Sequence, residues 1–222
     1  MSLETQPKPR LYLSSYHLGN KPEELLRLVG ENKKTALIIN SSDWGTDENR
    51  RNQLEKQEAN LKSIGLNPEE IDLRNYFGKP DELKKKLSEF GLVWLKGGNV
   101  FVLKRAIEQS GFDTIIKELL AGDKLVYGGF SAGAVVAGPT LKGIEIVDDA
   151  EVVPEGYKPE FSWEGLNLVS YSIAPHHKSE HPESAAMDKV IEHFEENNMP
   201  YKGLRDGEAI VVEGGTERVV GG

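Results

Sequence analysis

The feature that most constrains this chain is a serine between two glycines, at a point where an apolar run gives way to small residues. Residues 125–139 read LVYGGFSAGAVVAGP and contain the pentad Gly129-Phe130-Ser131-Ala132-Gly133. Flanking glycines tolerate the sharp backbone of a strand-to-helix turn, and the first N–H groups of the next helix can face a developing oxyanion. The pattern predicts a turn that presents the Ser131 hydroxyl. A plain strand-to-helix turn or a phosphate-binding turn is the alternative interpretation.

Short apolar runs alternate with amphipathic stretches before Leu141. The runs that we expect to form strands cover residues 11–16, 36–40, 70–74, 92–96 and 124–128. The stretches that we expect to form helices cover residues 22–29, 47–64, 81–90 and 100–120. Such alternation is typical of a parallel sheet covered on both faces. The sequence therefore predicts a three-layer α/β fold, in which a mostly parallel sheet is sandwiched by helices.

The pattern changes after Leu141. The segments expected there are an antiparallel excursion at 144–153, a strand at 166–173 and a helix at 182–196. Residues 209–212 and 218–220 flank Gly214-Gly215, which indicates a hairpin. Because no repeat or linker divides the chain, we expect a single domain over residues 10–222 after a disordered tail at residues 1–9.

The composition narrows the class of partner. The net charge is −9 and the lysines and arginines do not gather in one segment, so neither nucleic acid nor membrane is an expected partner. The absence of cysteine excludes disulfides, thiolate metal sites and a cysteine nucleophile. No apolar run approaches the length of a membrane span, and the N-terminus lacks the apolar core of a signal peptide. We expect a cytoplasmic protein, with homo-oligomer formation left open.

A catalytic serine needs a base, a group that orients the base, and a site for the oxyanion. Three of the five histidines, His176, His177 and His181, follow the predicted strand at 166–173. The carboxyl ends of parallel strands form the edge where ligands bind. We favour His176 as the base, because it directly follows the rigid Pro175, over His177 and then His181.

The same histidines could be read as metal ligands, with Glu180 beside them. Pro175 and Pro182 bracket the segment, so His177 and His181 are not expected to share one face of a helix. We therefore expect no metal here.

The orienting acid has two candidates. Asp206 stands at a strand–turn junction before Gly207, where it could orient a histidine or simply form the turn. Glu208 is the nearby alternative.

A second glycine-containing loop follows the run at 92–96. Gly97 and Gly98 would let the backbone approach a ligand and aim N–H groups at it, and Asn99 could cap the next helix. The loop is either an ordinary connection between a strand and a helix, or it supplies one N–H donor to an oxyanion while Ala132 supplies the other.

Three motifs together resemble the dipeptidase E and cyanophycinase family of serine peptidases. They are Lys-Gly-Gly-Asn at 96–99, Gly-Phe-Ser-Ala-Gly-Ala at 129–134 and Ile-Ala-Pro-His at 173–176, in the order of that family. The likeness covers nearly the whole chain after its N-terminal tail. It implies a fold related to class I glutamine amidotransferases, with serine in place of their cysteine, and peptide hydrolysis without a cofactor.

Carried over by position, the resemblance implies that Ser131 is the nucleophile, His176 the base, and Gly98 with Ala132 the oxyanion donors. Family dipeptidases have a Leu-x-Glu-Gly turn where this chain has Leu204-Arg205-Asp206-Gly207, so Asp206 stands in for the glutamate. Dipeptidases specific for aspartate carry an arginine shortly after the histidine, whereas residues 182–188 contain none. Aspartyl specificity is therefore not expected.

We expect a serine hydrolase that cleaves short peptides, as a dipeptidase or small-peptide exopeptidase, through an acyl-enzyme on Ser131. Alternatives within enzymes are hydrolysis of an acid-linked polymer, as in cyanophycinase, and an esterase-like activity. An alternative from another class is a non-catalytic ligand-binding or regulatory protein that keeps the serine turn as an anion pocket.

Overall fold

The computed structural model describes residues 9–222, which contain nine strands and seven helices. The strands are β1 (Leu11–Ser14), β2 (Lys34–Ile38), β3 (Asn67–Glu70), β4 (Leu92–Leu95), β5 (Val126–Phe130), β6 (Ser172–Ala174), β7 (Tyr201–Gly203), β8 (Ala209–Glu213) and β9 (Thr216–Val220). The helices are α1 (Pro22–Val29), α2 (Asp47–Ser63), α3 (Pro80–Leu87), α4 (Val100–Ser110), α5 (Phe112–Ala121), α6 (Ala132–Val135) and α7 (Ser184–Glu196).

Seven strands form one sheet in the order β3-β2-β4-β5-β1-β8-β9. The strands from β3 to β1 pair in parallel, whereas β8 pairs antiparallel with both β1 and β9. β6 and β7 form a separate parallel pair. The prediction of an α/β fold with a mostly parallel sheet between helices is confirmed.

Each face of the sheet carries its own apolar core. Along β4, Val93 and Leu95 belong to one core and Leu92 and Trp94 to the other. Successive side chains of a strand point to opposite faces, so a strand that is apolar at every position is buried on both. The strands β4, β5 and β1 are neighbours and run in parallel. They therefore end side by side at one edge of the sheet, and the residues that follow them meet there.

Several predicted elements have different bounds. β2 and β5 lie at Lys34–Ile38 and Val126–Phe130 rather than at 36–40 and 124–128. The prediction of a strand at 70–74 is wrong, because β3 ends at Glu70 and Leu73–Tyr76 form a 3₁₀ turn. Asp72 Oδ1 accepts the N–H of Arg74 at 3.0 Å and so initiates that turn. β3 is an edge strand held by backbone pairing, and its Asn-Pro-Glu-Glu sequence carries no apolar pattern.

The stretch predicted as one helix at 100–120 is two helices, because Gly111 takes a left-handed φ of 74° and separates α4 from α5. The predicted helix at 182–196 begins at Ser184. The hairpin predicted near the C-terminus is confirmed as β8 and β9.

The antiparallel excursion predicted at 144–153 is wrong. Ile144–Ile146 form a 3₁₀ turn, and Asp148 accepts the N–H of Val100 at 2.7 Å, which ties this segment to the start of α4. Of the strand predicted at 166–173, only the last two residues belong to β6. The earlier part instead bonds to the segment after α6, since Leu166 donates to the carbonyl of Val136.

Residues 1–8 lie outside the described part of the chain, and with them nearly all of the predicted tail at 1–9. The division into a tail and one domain stays a prediction. Among residues 9–222, no helix combines the length and apolar character that crossing a membrane requires.

The close approach of α6 to β4 gives a test of this packing. A methyl group at Gly133 would overlap the carbonyl oxygen of Leu95, whereas one at Gly45 would lie 3.6 Å from its nearest neighbour. We expect Gly133→Ala to lower the free energy of unfolding by about 1–3 kcal/mol, the usual cost of overpacking. The matched control Gly45→Ala should change it by less than about 0.5 kcal/mol. Urea unfolding measures both, and equal effects would contradict the packing described here.

Candidate active site

Ser131 stands on a strained turn between β5 and α6. Its φ is 48° and its ψ −119°, a conformation that non-glycine residues rarely adopt. The Ser131 N–H donates to the carbonyls of Ser14 and Ser15, each at 3.2 Å, so the end of the neighbouring strand β1 holds the turn in place. The serine turn predicted from the pentad is therefore present, in a conformation that the surrounding structure maintains.

The buried His176 and the half-buried Asp206 form a pair beside this turn. His176 follows β6 and is 1% exposed, and its Nδ1 lies 2.7 Å from Asp206 Oδ1. A carboxylate at Nδ1 favours the tautomer with the proton on that nitrogen, which leaves Nε2 free to accept one. His176 and Ser131 both line a cavity of about 180 Å³ at the carboxyl edge of the sheet.

The fully buried hydroxyl of Ser15 connects these three residues. Ser15 Oγ donates to Asp206 Oδ1 at 2.9 Å and accepts the backbone N–H of His176 at 2.8 Å. Its carbonyl is one of the two that accept the Ser131 N–H. Sequence reasoning missed Ser15. The available signal was its position directly after the apolar strand β1, where a parallel sheet places its ligand-binding edge.

Burial sets the charge state of His176. Desolvation lowers the pKa of His176 below the usual 6.5, although the hydrogen bond and charge of Asp206 raise it. The nearby His181 adds a further lowering contribution. The imidazole is therefore neutral at neutral pH, as a general base must be.

The loop between β4 and α4 lies on the other side of Ser131. Gly98 has a φ of 133°, which glycine adopts more easily than other residues do. A methyl group at Gly97 would come within 2.9 Å of Ser131 Cβ. The N–H groups of Gly97, Gly98 and Ala132 find no backbone acceptor among residues 9–222. Gly97 and Gly98 line the same cavity as Ser131, and Ala132 directly follows the serine.

Asn99 and Ser41 hold this loop. Asn99 Oδ1 accepts the N–H groups of Phe101 and Val102, which caps α4 as the sequence suggested, and Nδ2 donates to the carbonyl of Asp149. The Asn99 side chain is thus engaged within the protein rather than turned to a ligand. The buried Ser41 Oγ donates to the Gly97 carbonyl at 2.8 Å, while its own carbonyl accepts the Asn99 N–H.

Of the competing candidates, His177 and Glu208 make other contacts. His177 Nδ1 is 3.3 Å from Asp188 Oδ1, and Glu208 Oε2 accepts the N–H of Arg205, so neither takes part in the pair formed by His176 and Asp206. His181 stacks on His176, with ring centroids 3.7 Å apart and planes 8° from parallel.

The same stack bears on metal binding. Ligand atoms of His176, His181 and Glu183 lie within 4.8 Å of one another, in the part of the chain that is described. Imidazole lone pairs lie in the ring plane, so two parallel stacked rings do not direct them at one ion. Moreover, His181 Nδ1 already accepts the N–H of Glu183 at 3.2 Å. The arrangement does not suit a tetrahedral site.

His17, which is not among the residues that the sequence motifs singled out, also lines the cavity. It follows β1 with a left-handed φ of 47° and packs its ring on Tyr16 and Phe130. Burial lowers its pKa, with the charge of Lys96 the next cause. Its Nδ1 is buried and has no hydrogen-bond partner within residues 9–222. Its position at the end of a parallel strand was again the signal.

The connecting role of Ser15 can be measured as stability. Ser15→Ala would leave the buried N–H of His176 without an acceptor, so we expect the free energy of unfolding to fall by about 1–3 kcal/mol. Ser88→Ala is the matched control, because the Ser88 hydroxyl is exposed and bonds only locally to the Lys85 carbonyl. Thermal or urea unfolding of both variants checks this, and a Ser15→Ala protein as stable as the control would contradict the role.

Comparisons with known proteins agree with this geometry. Residues 14–220 match the family described as peptidase family S51. Peptidase E of Streptomyces coelicolor is 34% identical over 158 residues, which are 68% of this chain and 60% of that protein. A Drosophila melanogaster protein named "Probable alpha-aspartyl dipeptidase" is 29% identical over 210 residues, 82% of this chain and 84% of that one.

The crystal structure of another protein has a similar fold. A protein of Listeria monocytogenes EGD-e, described as a candidate peptidase E, superposes with a TM-score of 0.77. The two chains are 26% identical, and the superposition covers 96% of this chain and 98% of the other. With its motifs, its sheet and these matches in agreement, the chain belongs to peptidase family S51.

Proposed function

We propose that this protein is a serine-type peptidase that hydrolyses short peptides through an acyl-enzyme on Ser131. The observation that carries the proposal is the Ser131 hydroxyl on its strained turn, in one cavity with a buried His176 whose Nδ1 lies 2.7 Å from Asp206. Nucleophile, base and orienting acid in this arrangement suit acyl transfer. Membership in a peptidase family supports the peptide bond as the bond that is cleaved.

In the first half of the reaction, Ser131 Oγ attacks the scissile carbonyl carbon while His176 Nε2 takes the hydroxyl proton. The carbonyl oxygen becomes an oxyanion, which the N–H groups of Gly98 and Ala132 stabilise. The intermediate then expels the amine, which takes the proton from His176, and an ester on Ser131 remains. Asp206 keeps the imidazole in the correct tautomer and stabilises its charged form.

In the second half, water replaces the amine. His176 takes a proton from the water as its oxygen attacks the ester carbon, and the same N–H groups stabilise the second oxyanion. Collapse of the intermediate breaks the bond to Ser131 Oγ, which regains its proton from His176. Gly97 and Asn99 serve indirectly, the first by leaving room beside Ser131 and the second by capping α4.

The size of the site supports a short substrate. The cavity at Ser131 has a volume of about 180 Å³. Clefts for drug-sized ligands are larger, about 300–1,000 Å³. A second cavity of about 290 Å³ shares Lys96 and Gly98 with it, and the two together have room for a short peptide.

Covalent labelling tests the nucleophile. A fluorophosphonate reacts with an activated serine hydroxyl and loses fluoride, so we expect one phosphonyl group on Ser131. The wild-type protein should label and Ser131→Ala should not, while Ser63→Ala, which changes an exposed serine of α2, should label like wild type. Intact-mass and peptide mass spectrometry read the result. An unlabelled wild type would favour the non-catalytic anion pocket instead.

The pH dependence tests the acid. Neutral His176 is the active form, so kcat/KM should fall as the pH drops through its pKa, which burial holds below 6.5. Asp206→Asn removes the contacts that raise this pKa, so the acid limb should move to still lower pH. In addition, kcat should fall by orders of magnitude, about 10⁴-fold in a serine protease triad.

Glu208→Gln is the paired control for that experiment, because Glu208 contacts the Arg205 N–H and not His176. It should retain the wild-type pH profile. A collapse of kcat in Glu208→Gln together with full activity in Asp206→Asn would transfer the orienting role to Glu208.

A further inference from the structure

The ring of His181 covers one face of the His176 imidazole. The two ring centroids lie 3.7 Å apart, and the ring planes are 8° from parallel. Tyr16 contacts both rings edge-on, with its ring centroid 5.7 Å from that of His176 and 5.3 Å from that of His181. Both histidines line the cavity that contains Ser131. The imidazole that serves as the base therefore has an aromatic contact on its face as well as a carboxylate at its edge.

Hydrogen bonds of the turn before α7 hold His181 in this position. The N–H of Ser184 donates to the carbonyl of His181 at 3.0 Å, and the N–H of Glu183 donates to its Nδ1 at 3.2 Å. Earlier in the same turn, Ser179 Oγ accepts the N–H of Asp206 at 2.8 Å. His181 is thus held through both its backbone and its ring, so its position does not depend on the stack alone.

The hydrogen bond to Asp206 does not by itself orient the base. It fixes Nδ1 of His176, which lies 2.7 Å from Asp206 Oδ1, whereas the atom that takes the proton is Nε2. The second side-chain torsion of histidine has broad preferences, so the tilt of the ring must come from packing. His176 also has a left-handed φ of 60°, a strained conformation that persists only where the surroundings maintain it. A ring stacked on its face limits the tilt and therefore the position of Nε2.

We propose that His181 is a positioning residue, whose stacked ring holds the His176 imidazole at the tilt from which Nε2 reaches Ser131 Oγ. This inference rests on the function proposed above, because that function assigns the reaction to Ser131 and His176. In this role His181 acts through His176 and takes no part in the transfer of the proton.

The charged groups around the stack determine how it responds to pH. Burial lowers the pKa of His176, whereas the contact with Asp206 and the charge of Glu183, whose Oε2 lies 3.8 Å from Nε2, raise it. A charge on His181 lowers this pKa, because two protonated rings in a stack repel each other. The other titratable residues at the cavity are Tyr16, His17 and Lys96. Loss of His181 therefore raises the pKa of His176, and the neutral, active form disappears at a higher pH as the pH falls.

The rate of fluorophosphonate labelling tests the proposal without a known substrate, because it reports the activation of Ser131 directly. His181→Asn removes the ring but keeps an acceptor for the N–H of Glu183, and His181→Gln is a second variant without the ring. His181→Phe keeps a ring but carries no charge. His193→Asn is the matched control, since His193 lies on α7 and is not part of the lining of the cavity. The second-order rate constant is measured against pH, below the unfolding temperature of each variant.

We expect the rate constant of His181→Asn on the high-pH plateau to fall by about 10- to 100-fold, the effect of a small displacement of a catalytic group. Its acid limb should move to higher pH, because both the charge beside His176 and the cover of its ring are lost. His181→Phe should recover most of the plateau rate, since a stacked ring is present again. His193→Asn should match the wild type in both respects.

Three results would overturn the proposal: an undiminished plateau in both His181→Asn and His181→Gln, an equal loss in His181→Phe, or a lower plateau with an unchanged acid limb. If the wild type and His193→Asn label normally, these results contradict only the role of His181. Absent labelling of the wild type would instead contradict the function proposed for Ser131, and with it this role of His181.

Discussion

The hydrogen bonds of Ser15 join the parts of the site that come from distant segments of the chain. Ser15 lies between Ser131 and Asp206 because β1 is the strand between β5 and β8. Its carbonyl accepts the N–H of Ser131, and its hydroxyl contacts both Asp206 and the backbone of His176. A serine held in a strained conformation and a histidine held by a short acid side chain both need such support. The rest of the site depends on this buried serine.

A second set of contacts holds the opposite wall. Ser41 fixes the loop with Gly97 and Gly98, and the turn that contains Ser41 is itself held by Asp43, whose buried carboxylate accepts from Asn40 at 2.7 Å and pairs with Arg50 at 2.6 Å. These groups come from the carboxyl end of β2 and from α2. The loop beside Ser131 is thus supported by a polar network in which Asp43 and Arg50 are paired.

Much of this could be predicted from local sequence. The apolar runs predicted the parallel sheet, and the motifs around Gly98, Ser131 and His176 predicted which loops would meet, because loops after parallel strands share one edge. The contacts that Ser15 and His17 make at the site depend on which strands are neighbours, and the local sequence gives only their position at the end of β1. The predicted position of β3 was wrong because an edge strand with the sequence Asn-Pro-Glu-Glu has no apolar pattern. The predicted structure of the segment after Leu141 was wrong because side chains such as that of Asp148 hold this segment against α4.

The central claim is that Ser131, the His176–Asp206 pair and the backbone N–H groups of Gly98 and Ala132 form one catalytic unit. A crystal structure of the phosphonylated protein tests it most directly, because the phosphonyl oxygen stands in for the oxyanion of the intermediate. The account predicts that this oxygen lies about 2.7–3.1 Å from both nitrogen atoms, with the contact between His176 and Asp206 retained. An adduct whose oxygen points away from Gly98 and Ala132, or a separated pair, would contradict it.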